Sequence, residues 1–241
     1  MTLLLLCVLS QKIYGTYHRS AVPMKLFRPF TTTAGRKNIE AVTGALLLLF
    51  CVEHLAANLF LLLNDPAPYR WYTESMGRSV FVRVLEVGLF GLFILHIGLG
   101  WAMRKRQREI RKMNPRIPKA RDFATRTVGL TGVVILIFLV VHLVRFFLPN
   151  KVVRPEAFDL YNEAHQAFSS VWYTLLYVFA MAALAFHLRH GIASAIVSFK
   201  RVPPTLIPRL RVVGGWLAII VPAGLAYIAV HIYLVTLGSK L

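Results

Sequence analysis

Five long apolar stretches decide what this chain can become: Ala41–Leu63, Val80–Met103, Val128–Leu148, Val171–Phe199 and Val212–Leu237. Each is long enough to cross about 30 Å of hydrocarbon at ~1.5 Å of rise per residue. No alternating strand pattern competes with them. The predicted fold is therefore an all-α membrane protein, a bundle of five transmembrane helices. Composition agrees, since 57% of the 241 residues are hydrophobic and only 16% are charged. The fourth stretch exceeds what a span requires and carries Arg189 and His190, so its last turns are expected to leave the bilayer. Residues 1–37 read as a cytoplasmic tail and residues 38–241 as one transmembrane domain.

The 28 Lys and Arg against 10 Asp and Glu would point to nucleic acid in a soluble protein. Their distribution gives a different explanation, and no nucleic-acid partner is expected. Lys25, Arg28, Arg36 and Lys37 precede the first span. The second connection holds Arg104, Lys105, Arg106, Arg108, Arg111, Lys112, Arg116, Lys119, Arg121 and Arg126. The fourth adds Lys200, Arg201, Arg209 and Arg211. The first and third connections are nearly balanced in charge. Basic connections stay on the cytoplasmic side, which predicts a cytoplasmic amino terminus and an external carboxyl terminus. Charge beyond the needs of topology is suited to anionic lipid or to a docked subunit.

Cys7 and Cys51 are too few for a metal cluster, and no C-x-x-C-H run is present to attach a haem covalently. The apolar run Leu3–Leu9 is too short to span and has no basic leader, so a cleaved signal peptide is not expected. The opening residues read as a short interfacial tail, with Met24 as an alternative start. Internal repeats are absent.

Chemistry has to come from polar groups placed in lipid. Of eight histidines, His54, His96, His142, His187 and His231 fall inside spans and His190 lies near a boundary. Ionisable groups in a membrane usually face the bundle interior and mark function. A lone buried histidine is well explained by a helix–helix hydrogen bond. One on each of four consecutive helices is a different pattern, because imidazoles on facing helices are the usual means by which a bundle holds a cofactor. Depth separates them into pairs. His54 lies ~20 Å from the inner edge of its span and His142 ~21 Å, whereas His96 lies ~10 Å from it, with His187 also in the inner half. The expected pairs are His54 with His142 and His96 with His187, stacked across the membrane to carry two haems b.

Ala57, Gly88, Gly91, Gly98, Gly129, Gly132 and Gly191 remove bulk that would obstruct a macrocycle, although small residues also mediate ordinary membrane helix packing. Arg145 and Arg189 stand near His142 and His187, placed either to pair with haem propionates or to snorkel to the interface.

The run from Gly35-Arg36-Lys37 through Ala41-Val42-Thr43-Gly44 to His54-Leu55-Ala56-Ala57-Asn58 resembles the cytochrome b subunit of succinate dehydrogenases and fumarate reductases. Phe186-His187-Leu188-Arg189-His190-Gly191-Ile192, followed by Ser194, is similar to that family's fourth-helix H-x-x-x-G pattern. The likeness is to the five-helix, two-haem kind and runs from about Thr31 to the end of the fifth span. It implies axial ligands at His54, His96, His142 and His187, the last chosen over His190 by the family pattern. It also implies a quinone, menaquinone in this group, and flavoprotein and iron–sulfur subunits docked on the cytoplasmic face of a bacterial inner membrane. Electrons from succinate oxidation would reach the inner haem, then the outer one, then the quinone, whose protons would come from Glu74, Glu53 or Glu86. Of these, Glu74 best matches the family's quinone-site acid, and each could instead partner Arg78 or Arg83. The glutamate that some fumarate reductases place before the fourth-helix ligand for proton transfer is replaced here by Ala185 and Phe186. His231 matches no ligand position and is open to a packing or a quinone-related role. The whole complex is open to higher oligomerisation. The alternatives are a cytochrome b anchor of a formate dehydrogenase or hydrogenase, and a haem-free transporter with histidines along a proton path.

Overall fold

Helices dominate the described residues because the apolar stretches are long and their flanks are rich in good helix formers. The computed structural model describes residues 32–115, 123–153, 159–199 and 202–239, apart from the side chains of residues 124 and 125. Residues 1–31 of the expected 1–37 tail lie outside the described residues. So do Arg116, Lys119 and Arg121, and Lys200 and Arg201. Among the described residues there is no strand.

Seven α-helices follow in order: α1 Thr33–Asn58, α2 Ala67–Arg78, α3 Val80–Met113, α4 Phe123–His142, α5 Leu160–Phe168, α6 Val171–Ser198 and α7 Ile207–Gly238. Five are long and apolar enough to cross a membrane, α1 counted with a 3₁₀ turn to Leu62 and α4 continued to Val153. Most of these helices outrun their apolar cores. α1 starts eight residues before Ala41, where Thr32 Oγ1 accepts a hydrogen bond from Gly35 N at 3.0 Å and so satisfies one of the open amides of the first turn. α3 runs on for ten residues past Met103 through Arg, Lys, Gln and Glu, which propagate a helix as readily as most apolar residues do. Beyond His142 the backbone of the third span widens into π-helical turns, Leu143–Phe147 and Pro149–Val153.

The short helices α2 and α5 were not expected from the sequence. Pro66, at the start of α2, supplies a fixed φ where an amide would have no partner. Asp159 caps α5 by accepting from Tyr161 N at 3.0 Å and Asn162 N at 3.5 Å. Both lie in odd-numbered connections, hence at the same end of the bundle, and there Arg70 joins Asp159 at 2.6 Å. Tyr161 also donates its hydroxyl to the Leu63 carbonyl at 3.2 Å. Beneath them sits a buried cluster of Leu61, Tyr69, Ala164, Phe168, Tyr177, Ile228, Ala229 and Ile232.

Within residues 37–241, α6 packs along both α7 and α4. Gly214 on α7 leaves space for the Ile192 side chain of α6, with which a Cβ would collide. Gly224 does the same for α1, since a Cβ there would stand 2.8 Å from Leu55 Cδ1. α3 has no buried residue among those described.

Candidate haem-binding site

The four histidines come together two by two. The rings of His54 on α1 and His142 on α4 have centres 5.8 Å apart and planes at 85°. Those of His96 on α3 and His187 on α6 are 6.3 Å apart at 72°. A metal about 2 Å from one nitrogen of each imidazole sets two ring centres roughly 6 Å apart. Among the described residues no group of three or more His, Cys, Asp and Glu converges. A haem iron asks the chain for two axial ligands at most, so these pairs are sufficient in number and spacing.

Aromatic side chains enclose the first pair. Phe50 stacks on His54 at 5.3 Å, and both lie on one face of α1, four residues apart. Phe138 and Phe146 flank His142 at 5.8 and 5.3 Å, one turn to either side. His142 Nδ1 is 2.7 Å from the Tyr177 hydroxyl, and Tyr177 belongs to the buried cluster under α2 and α5. A hydrogen bond on one ring nitrogen fixes the orientation and leaves the other for a ligand role.

The second pair is held from neighbouring helices. His96 Nδ1 lies 3.1 Å from Thr43 Oγ1 and 3.6 Å from Glu40 Oε1, both on α1. His187 Nδ1 is buried without a hydrogen-bond partner. A Cβ on Gly44 would stand 3.3 Å from His96 Cε1, and one on Gly132 3.6 Å from His187 Cε1. Gly44 therefore makes room for the His96 imidazole, whereas a Cβ on Gly132 would only touch His187 in ordinary contact. Gly129 instead accommodates the Arg104 side chain, and Cβ atoms at Gly88, Gly91, Gly98 and Gly191 would meet open space.

The remaining candidates are distributed more widely. Arg145, in the π-helical turn after His142, binds Glu163 of α5 at 2.6 Å and reaches Gln166 at 3.5 Å. Arg189 is exposed. Glu74 is exposed on α2 and pairs with Arg78 at 3.3 Å; Glu86 pairs with Lys151 at 2.8 Å. Glu53, beside His54, accepts the Tyr72 hydroxyl of α2. Burial, followed by that hydrogen bond, pushes the Tyr72 phenol up to about 12. His231 lies against Tyr227 at 5.8 Å on its own helix.

Glu40, Thr43, Tyr72 and Tyr177 escaped the sequence reading. Thr43 lies inside the quoted Ala41–Gly44 run. Glu40 sits immediately before the assumed start of the first span, so only the earlier start of α1 brings it to the level of His96. No family model, curated protein or solved structure matches the chain.

Proposed function

We propose that this chain is the membrane-anchor dihaem cytochrome b subunit of a succinate:quinone oxidoreductase, carrying electrons between an iron–sulfur subunit and a membrane quinone, menaquinone in the reading favoured here. The observation that carries the haem reading is the meeting of four histidines from four spans as two pairs about 6 Å apart. The choice of partners rests on the resemblance of the Ala41–Asn58 and Phe186–Ser194 runs to that family. Bound between His54 and His142, and between His96 and His187, two haems b would supply one-electron transfer across the bilayer.

The chain's own residues do the rest. They fix the four imidazoles, keep water away from the first pair with Phe50, Phe138 and Phe146, and set the two pairs at different depths. The basic end, with Arg104 through Lys112 at the foot of α3 and Arg209 and Arg211 on α7, is the cytoplasmic one in this reading and faces the flavoprotein and iron–sulfur subunits and anionic lipid. The amino terminus is then inside a bacterial cytoplasmic membrane and the carboxyl terminus outside. At the opposite end Glu53 and Tyr72 join α1 to α2 beside His54. Of the three acids considered, Glu53 is best placed to pass a proton to a quinone there, since Glu74 and Glu86 are held in ion pairs.

Affinity purification of the chain from its native membrane tests the assignment. Co-purification of a covalent or tightly bound flavin and of iron–sulfur protein, with succinate-dependent reduction of a b-type spectrum, is the expected result. A haem-bearing preparation that instead carries formate dehydrogenase or hydrogenase activity would move the chain to another membrane dehydrogenase.

A further inference from the structure

His96 is gripped from a neighbouring helix by groups whose hydrogen-bonding capacity is almost fully determined. Thr43 donates its single hydroxyl proton to the Glu40 carbonyl at 3.1 Å. With the proton so directed, only lone pairs remain on Thr43 Oγ1, and its 3.1 Å contact with His96 Nδ1 is made with the ring as donor. The proton is thereby placed on Nδ1, and Nε2 keeps its lone pair. Glu40 Oε1 stands 3.6 Å from the same Nδ1, beyond a hydrogen bond but close enough to favour that proton electrostatically.

The surroundings are shaped for this arrangement. Gly100 follows His96 by one turn on α3, and a Cβ there would come within 3.0 Å of Glu40 Oε1. Gly44 follows Glu40 by one turn on α1 and clears the ring edge. Two faces of complementary spacing thus meet, Glu40, Thr43 and Gly44 on one helix and His96 and Gly100 on the other. Glu40 Oε2 is buried without a hydrogen-bond partner, a costly placement that a plain helix–helix fastener would not need.

We infer that Thr43 and Glu40 are positioning residues for His96, fixing its tautomer and ring orientation so that Nε2 is presented as the axial ligand atom. The inference rests on the haem reading above. Orienting partners of this kind hold other metal-ligating histidines, and their loss typically weakens binding 10–100-fold.

Three variants in the intact membrane-bound complex test it: Thr43→Val, which keeps the shape and removes the acceptor, Thr43→Ser, which restores it, and Glu40→Gln. Haem content, the low-spin electron paramagnetic resonance signals and a two-component redox titration are read on each. Thr43→Val should lower the affinity of one haem 10–100-fold and displace the signal and potential of that haem alone. Thr43→Ser should behave as the parent protein, and Glu40→Gln should shift the same potential with haem content intact. Thr43→Val with unchanged signals, equal changes at both haems, or failure of Thr43→Ser to restore the parent behaviour would overturn the inference. Should Thr43→Val not accumulate, Thr43→Ser and Glu40→Gln decide by the same criteria. A parent protein without haem would instead defeat the cytochrome reading from which the inference starts.

Discussion

Replacing Gly44 by valine should cost the chain the haem proposed at His96 and His187 and spare the one proposed at His54 and His142. A Cβ at this position would stand 3.3 Å from His96 Cε1 and 3.8 Å from Nδ1. Carbon atoms pack best at about 3.5–4.0 Å, so alanine asks the ring to retreat by a few tenths of an ångström. Valine adds two γ carbons and has one strongly preferred χ1 in a helix, which leaves little freedom to turn them away. Overfilling a packed site costs about 1–3 kcal/mol. At ~1.4 kcal/mol per tenfold change, affinity should fall roughly 5- to 150-fold. Gly132 is the internal control, because its Cβ would lie 3.6 and 3.8 Å from His187 Cε1 and Nδ1, ordinary contacts. The assay is haem per chain with a redox titration resolved into two components. Gly132→Ala should match the parent, Gly44→Ala should shift one component slightly, and Gly44→Val should lose that component. Full occupancy with unchanged potentials in Gly44→Val, or a loss at the other site, would refute the packing argument.

His187→Ala should remove one haem while His190→Ala retains both, by pyridine haemochrome, because His187 is the residue whose ring faces His96 at 6.3 Å. Glu53→Gln and Tyr72→Phe should each slow quinone reduction several-fold with haem content and dye-linked succinate oxidation intact, whereas Glu74→Gln, an exposed residue paired with Arg78, should turn over normally. Asp159→Ala should lower thermal stability by ~1 kcal/mol through loss of the α5 cap and should exceed the effect of Arg70→Ala, which leaves the cap in place and removes a half-buried ion pair and a contact over the Tyr161 ring. Burial, aided by Asp159 and Tyr72, raises the Tyr69 phenol from 10 to about 12. The folded state therefore holds that proton more tightly than the unfolded one, so its stabilisation is complete below about pH 10 and fades toward pH 12. Tyr69→Phe should flatten that part of the stability profile, read from thermal midpoints across the same range.

The five spans and the two histidine pairs were legible because each depends on quantities a sequence carries directly, namely apolar length and rise per residue. The His54–His142 and His96–His187 pairs needed only that four helices alternate in direction. Helix ends were less legible, because apolar composition marks the hydrocarbon and not the helix. Arg104 to Met113 continue α3 into charged territory, and Thr33 to Glu40 extend α1 backward. That extension is why Glu40 was passed over as a flanking residue. The short helices α2 and α5 lack the apolar length that revealed the others and are fixed by Pro66, the Asp159 cap and the tie between Arg70 and Asp159. The partners of individual imidazoles, Tyr177 for His142 and Thr43 for His96, depend on how helices rotate against one another, which spacing along one helix does not encode.

Arg145 shows how nearness along the sequence can mislead. Counted along a regular helix, it lies within a turn of His142 and near any group bound there. Arg145 stands in the π-helical turn Leu143–Phe147 and engages Glu163. Gly88, Gly91, Gly98 and Gly191 make a similar point: small residues shared by packing and cofactor binding are separable only once their neighbours are known.

We propose that four histidines on four spans bind two haems b. Pyridine haemochrome analysis of the purified chain, with protein measured by quantitative amino-acid analysis, tests it most directly. The expected value is two haem b per chain, both low-spin and unreactive toward carbon monoxide. A ratio near one would contradict the paired arrangement, and a ratio near zero would remove the cytochrome reading altogether.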